Sequence, residues 1–293
     1  MQLKQISDNI YYIPNPVNIG VITDRNNVLI IDSGLDKEAG RRIFKVLNSH
    51  DLILKGIINT HSHADHFGGN DYLINKTNAK VYASEVEAGV IQYPYLEPFY
   101  LFSAHPAKDL MGRFLMAKPS KVDCVVKGQD VIEFGDLTLK VVPLLGHSPN
   151  QIGVEVENVL FCADSVFSKN IIEKYKIPLF VDIENQKKTL KLLEKSNYDF
   201  YVPSHAEMTE DITDLVNVNL EVIEKVENFL LSISKPKTTE QIFKEIFDKF
   251  NIKISNIVEY YLMKSTIKAY LSYLYNKGKF EIKIDDLVYW SLK

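Results

Sequence analysis

Cysteine is scarce: 293 residues hold two, Cys124 and Cys162. Both lie inside apolar, strand-like runs, 122–126 and 159–163, so they read as buried free thiols and exclude a disulfide framework. Long hydrophobic runs are also missing. None approaches the ~18 residues that a transmembrane helix needs. The segment from Met1 to Asp8 has no apolar core and no cleavage signal. A reducing cytoplasm is therefore the expected compartment, with no membrane partner. Charge of one sign is lacking too, since the net charge of -4 gives no general attraction to nucleic acid or acidic lipid. What is present is ordinary globular material, 46% hydrophobic and 25% charged, enough for one large domain and a small one.

The opening residues read as strands over 10–13, 17–23 and 28–32, with Asn15-Pro16 and 24–27 as turns. Asp36 is placed to cap a helix running to Ser49, whose apolar face includes Ile43, Val46 and Leu47. A buried strand at 57–59 leads into a histidine cluster. A helix over 68–76 and a strand over 80–83 follow. Strands alternating with helices predict an α/β layered domain. Residues 130–163 change the pattern to short strands at 131–134, 137–143, 152–156 and 159–163, joined by turns such as Gly135-Asp136 and Glu157-Asn158.

Residues 90–120 interrupt this regularity with Tyr93, Tyr95, Phe99, Tyr100, Phe102 and Phe114 among four prolines. A long ordered excursion of this kind is expected near a substrate pocket, with Tyr93, Tyr95, Phe99 and Tyr100 as wall residues; a surface insertion or a subunit contact is the alternative. A boundary is expected at Ser234, after a helix over 214–231. It divides a catalytic domain, 1–234, from a module at 235–293. Thr238 and Gln241 form a capping-box signature. Helical spacing then continues through Ile242, Ile246 and Phe250 and resumes over 258–275. Strands at 280–284 and 287–290 complete a small α+β, winged-helix-like unit. The module has eleven lysines, seven acidic residues and no arginine. Since arginine is the usual reader of guanine, packing beside the active site or homodimerisation is expected here, and nucleic-acid binding is not.

Three of the seven histidines fall at 61, 63 and 66, with Asp65 between them. Residues two apart on extended chain or in a tight loop can turn their rings to one metal, while Asp65 and His66 can reach a second. Imidazole with carboxylate suits Zn, Fe or Mn better than Ca or Mg. His147, Asp164 and His205 each follow or end a strand.

The run Thr60-His61-Ser62-His63-Ala64-Asp65-His66-Phe67-Gly68-Gly69 resembles the signature of the metallo-β-lactamase-fold hydrolases. That resemblance implies an αββα sandwich over roughly residues 5–233. It implies His61, His63 and His147 on one metal, Asp65, His66 and His205 on another, and Asp164 bridging. Two such ions, zinc above all, would supply hydroxide near neutral pH, with Asp65 orienting it and accepting its proton. The bridging aspartate resembles the glyoxalase II, lactonase, phosphodiesterase and RNase Z branches, and a β-lactamase role is not expected. The nearest likeness is to hydroxyacylglutathione-hydrolase-like proteins. Glyoxalase II proper has another histidine where Asn150-Gln151 stands here. A small-molecule thioester, ester or lactone is therefore the expected substrate, and an apolar acyl group fits the aromatic excursion. The alternatives are a nucleic-acid phosphodiesterase or nuclease of the same fold, and a mononuclear iron persulfide dioxygenase.

Overall fold

The run Val28-Leu29-Ile30-Ile31 has no polar side, so a strand here must be covered on both faces. The computed structural model, which describes residues 2–293, meets that demand with four layers. The first half supplies β1 (Lys4–Ser7), β2 (Ile10–Ile13), β3 (Ile19–Asp24), β4 (Asn27–Ile31), α1 (Lys37–Asn48), β5 (Ile53–Ile58), α2 (Ala64–Phe67), α3 (Asn70–Thr77), β6 (Lys80–Ser84), α4 (Glu85–Gln92), α5 (Leu96–Phe102) and β7 (Cys124–Val126). Strands β1 to β7 form one sheet in chain order, antiparallel up to β4 and parallel from there on. The second half supplies β8 (Val131–Phe134), β9 (Leu137–Pro143), β10 (Ile152–Val156), β11 (Val159–Phe167), α6 (Lys169–Tyr175), α7 (Ile183–Lys195), β12 (Phe200–His205) and α8 (Thr213–Leu230). Its sheet runs β12-β11-β10-β9-β8, and only the β11–β12 pair is parallel.

Alternation along β4 sorts its side chains into two cores. Val28 and Ile30 pack with Ile43, Leu47 and Leu73 beneath α1 and α3. Leu29 and Ile31 face the other sheet and meet Val141, Val154 and Phe161. Strand β11 repeats this: Phe161 joins the inter-sheet core, while Leu160 and Cys162 join Leu190, Leu193 and Ile223 under α7 and α8. The order helix, sheet, sheet, helix is thus written in two-residue periodicity. Each large apolar side chain so buried contributes about 1.5–3 kcal/mol.

The C-terminal module holds β13 (Lys237–Thr238), α9 (Thr239–Phe250), α10 (Ile257–Asn276), β14 (Phe280–Ile284) and β15 (Val288–Leu292), with sheet order β13-β15-β14. Thr238 and Gln241 make the reciprocal capping box. Ile242, Ile246, Ile267, Tyr270 and Phe280 belong to the same apolar cluster as α7 and α8. Packing is therefore continuous across residue 234.

Two expectations need correction. Cys162 is buried, but Cys124 is only half-buried; both thiols are free. The excursion begins earlier and is more regular than its composition suggests, because α4 and α5 occupy 85–92 and 96–102. Pro98 sits in the first turn of α5, where a backbone N–H has no intrahelical partner to lose.

Candidate metal centre

Strands β4, β5, β9, β11 and β12 all carry chain toward one edge of the sandwich. After β5 the chain bends at Thr60 and His61, is extended in backbone angles at His63 (ψ 142) and then coils into α2. The switch divides the cluster. His61 and His63 project from the connection ahead of the helix, whereas Asp65 and His66 project from a helical turn closed by His66 N–H donating to the His63 carbonyl (2.9 Å). The sequence predicts extended chain or a tight loop at His61 and His63 and a helix only from Gly68; the turn at 64–67 is missed because four residues are too few for periodicity to show. Gly68 and Gly69 let this turn press on the β4–α1 connection: a Cβ at Gly68 would lie 1.9 Å from the Leu35 carbonyl oxygen, and one at Gly69 2.2 Å from that of Ser33. Strand β11 carries Asp164 just after a register shift at Ala163, a non-glycine residue in the left-handed region (φ 50).

His61 Nε2 and His147 Nε2 lie 3.0 and 2.8 Å from His63 Nδ1. Asp164 Oδ2 lies 3.4 Å from His147 Nε2 and 3.3 Å from His205 Nε2, and its Oδ1 lies 3.4 Å from His66 Nε2. Asp65 Oδ2 is 3.5 Å from His205 Nε2. Three donor groups result, each with its atoms within 4.8 Å of one another: His61 with His63 and His147, His61 with His66 and Asp164, and Asp65 with His66 and His205. All seven residues expected from the sequence meet here. The hydrogen bonds behind them fix which nitrogen faces inward. His147 Nδ1 donates to the Leu179 carbonyl (2.8 Å), which leaves Nε2 with its lone pair. Thr60 Oγ1 donates to Asp32 (2.8 Å) and so accepts from His61 Nδ1 (3.1 Å), with the same result.

Two polar atoms at the centre, His66 Nε2 and Asp164 Oδ1, are buried without a hydrogen-bond partner. Such orphans are costly unless a ligand satisfies them. Together with a donor set of imidazoles and carboxylates, they fit divalent transition metals.

The charges divide the cluster in two. Burial pushes the pKa of His63 down to about 4 and that of His147 to about 3, and lowers His61 as well. Burial also opposes a charge on His205, but Asp164 and Asp65 win and raise it to about 10. His66 is raised in the same way by Asp164, Asp32 and Asp65. An opposite charge at about 4 Å contributes roughly 4 kcal/mol at an effective dielectric constant near 20, which explains why the carboxylates prevail. Asp164 and Asp65 are held below the usual carboxylate range: burial would raise them, but the neighbouring His66 and His205 dominate.

Sequence reasoning passed over two acidic residues. Asp32 (φ 64) directly follows β4 and receives Thr60 N–H (2.8 Å), Thr60 Oγ1–H (2.8 Å) and His66 Nδ1–H (2.7 Å). Glu97 on α5 is 2% exposed, and its Oε1 lies 3.9 Å from His63 Nε2. Its pKa is raised well above normal by burial, then by Asp65 and Glu87. A strand-end aspartate was the only signal for the first; the second had none. Of the four expected wall residues, Tyr100 is as exposed overall as Phe99, yet its hydroxyl pKa is raised by burial and then by Glu97 and Glu87. Phe99 and Tyr95 are exposed, Tyr95 hydrogen-bonds His105 (3.0 Å), and Tyr93 is the most exposed of the four. His50 stands exposed beyond α1. Gln151 ties the His147 loop to the Asp164 strand, donating to the Leu144 carbonyl (2.9 Å) and Ser165 Oγ (3.1 Å).

A donor cluster at the edge of an αββα sandwich defines a class of metal-binding folds. The profile of the metallo-beta-lactamase superfamily matches residues 12–205, and the chain belongs to that superfamily. Among curated relatives, hydroxyacylglutathione hydrolase of Erythrobacter litoralis (strain HTCC2594) is 29% identical over 144 residues, 47% of this chain and 45% of the relative. That of Psychromonas ingrahamii is 25% identical over 162 residues, 53% of this chain and 52% of the relative. The chain thus spans about half the length of the curated relatives it matches. A beta-lactamase domain protein from Burkholderia ambifaria has a like fold, with a TM-score of 0.75 and 17% identity over 99% of this chain and 93% of that one. A subclass B3 metallo-beta-lactamase of Bradyrhizobium japonicum reaches a TM-score of 0.60 at 22% identity, over 78% of this chain and 94% of that one.

Proposed function

We propose that this chain is a metallo-hydrolase of small-molecule thioesters or esters, with two divalent ions, zinc first among the candidates. The carrying observation is the position of Asp164, whose two oxygens lie within 3.4 Å of His66, His147 and His205. In this reading His61, His63 and His147 hold one ion, Asp65, His66 and His205 hold the other, and Asp164 is shared. When bound, two such ions bring a water's pKa toward neutrality and polarise a carbonyl oxygen.

The chain's own groups supply the rest. The Asp65 side chain is 37% exposed beside His205, so in this reading it faces solvent and orients the attacking water. Its low proton affinity makes it a relay that passes the water's proton on rather than a store for it. The name of the curated relatives supports a thioester. The aromatic character of the excursion supports an apolar acyl group, because Glu97 brings α5 within 3.9 Å of His63 and Phe102 on the same helix packs against Tyr261 on α10 with ring centroids 5.2 Å apart. In this reading the C-terminal module adds to the wall begun by the excursion. A glutathione moiety is not part of the proposal, since Asn150 and Gln151 serve the fold at the position of glyoxalase II's extra histidine.

The test is metal analysis followed by a panel of thioesters, esters, lactones and phosphodiesters, with Asp65→Asn as control. The proposal expects thioester or ester cleavage that the variant loses. Cleavage of phosphodiesters alone, or of nothing by the metal-loaded chain, would contradict it.

A further inference from the structure

Glu87 is fully buried on α4 (0% exposed), in a position the chemistry above does not use. A buried carboxylate is costly unless its lone pairs are filled. Here all the donors come from two loops. Oε2 accepts from the Ser62 backbone N–H (3.0 Å) and from Ser62 Oγ–H (2.5 Å). Oε1 accepts from Ser148 Oγ–H (2.8 Å) and from the Asn150 backbone N–H (2.8 Å). Ser62 stands between His61 and His63, and Ser148 follows His147. The start of α4 is latched to the second loop by two more bonds, Ser84 Oγ–H to the Asn150 carbonyl (2.6 Å) and Val86 N–H to Asn150 Oδ1 (3.3 Å).

We infer that Glu87 is the positioning residue of the first half-site: one carboxylate ties the His61–His63 loop to the His147 loop and sets the spacing of the three imidazoles. The inference rests on the metal-binding reading above, though not on any substrate. Its chemistry is specific. Every atom facing Glu87 is a donor, and each oxygen serves a different loop. A glutamine has the same shape, but its NH₂ must face two donors on one side, so one loop loses its anchor. The bonded serines flank ligands of the first half-site, whereas Asp65 and His66 lie further along on a helical turn, so the larger effect falls on the first half.

The test is cobalt(II) and zinc titration of the metal-free chain and of Glu87→Gln, with chelator competition and cobalt visible spectra. His147→Ala and His205→Ala serve as markers for loss of each half. Glu87→Gln is expected to keep its circular dichroism, lose roughly 10–100-fold in affinity at one site, and match the His147→Ala spectrum. Two ions at wild-type affinity, or equal loss at both sites, would overturn the inference. Should Glu87→Gln fail to fold, Ser148→Ala removes one bond of the four. A weaker loss at the same half is expected, and unchanged affinity overturns the inference. A wild-type chain that binds two ions but cleaves no substrate refutes the proposed function and leaves this inference standing. One that binds no ion refutes both.

Discussion

The two halves of the centre are built from opposite physics. His61, His63 and His147 are kept neutral by burial, and His61 Nε2 and His147 Nε2 both converge on His63 Nδ1. His66 and His205 are kept protonated by carboxylates, and Asp65 beside them is open to solvent. The first half is ready for a cation at once, since no proton must leave. The second must exchange protons for a metal, and the exchange makes it sensitive to pH. Asp164 belongs to both halves. The comparison teaches that one loop can serve two electrostatic regimes when its backbone changes from extended to helical between His63 and Asp65.

The largest test of that division is removal of its common member. Asp164→Asn should cost at least about a thousandfold in kcat/KM, about 4 kcal/mol, and should weaken both ions. Loss of one ion alone, by metal analysis, would break the idea of a shared carboxylate. Acidification should separate the halves. Protons compete with metal at His205 everywhere below about pH 10, but at His63 and His147 only below about pH 4 and 3. Lowering the pH from 8 to 6 should therefore weaken the second ion by roughly 100-fold per displaced proton and leave the first nearly unchanged. Equilibrium dialysis with metal analysis reads this out, and parallel loss of both ions would count against the account.

Asp32→Asn sharpens the contrast from the other side. It disturbs the acceptor of His66 Nδ1–H and should lower affinity roughly 10–100-fold at the second half, with a smaller loss at the first because Thr60 relays the same carboxylate to His61; Glu87→Gln acts on the first. A spectrum matching that of His147→Ala would reverse the assignment. The smallest effect concerns the contact between α5 and the C-terminal module: Phe102→Ala removes an aromatic contact to Tyr261 worth about 1 kcal/mol. KM for an apolar thioester should rise several-fold while both metal affinities stay fixed, in steady-state kinetics. A change in metal affinity instead would tie the C-terminal module to the centre itself.

Much of this was readable along the chain, for identifiable reasons. The doubly apolar runs at 28–31 and 159–163 encode strands with cover on both faces. The His-x-His-x-Asp-His cluster carries its chemistry in its own spacing. The residues that hold it in place do not. Glu87 and Glu97 are unremarkable acids in a helical stretch, and their roles arise from donors 25 to 63 positions away or from a ring across the site. Helix α7 was legible but overlooked: Asp182 accepts from Asn185 N–H as its cap, and Ile183, Leu190 and Leu193 form its buried face. Strand β1 shows one apolar residue in four and exists because β2 offers it an edge.

The most direct test of the central claim is calorimetric titration of the metal-free chain with zinc at pH 7, repeated in two buffers of different ionisation enthalpy. The account predicts two ions per chain. The tighter should bind without releasing a ring proton from His61, His63 or His147, and the other should release at least one. A single binding event, or equal proton release at both steps, would contradict it.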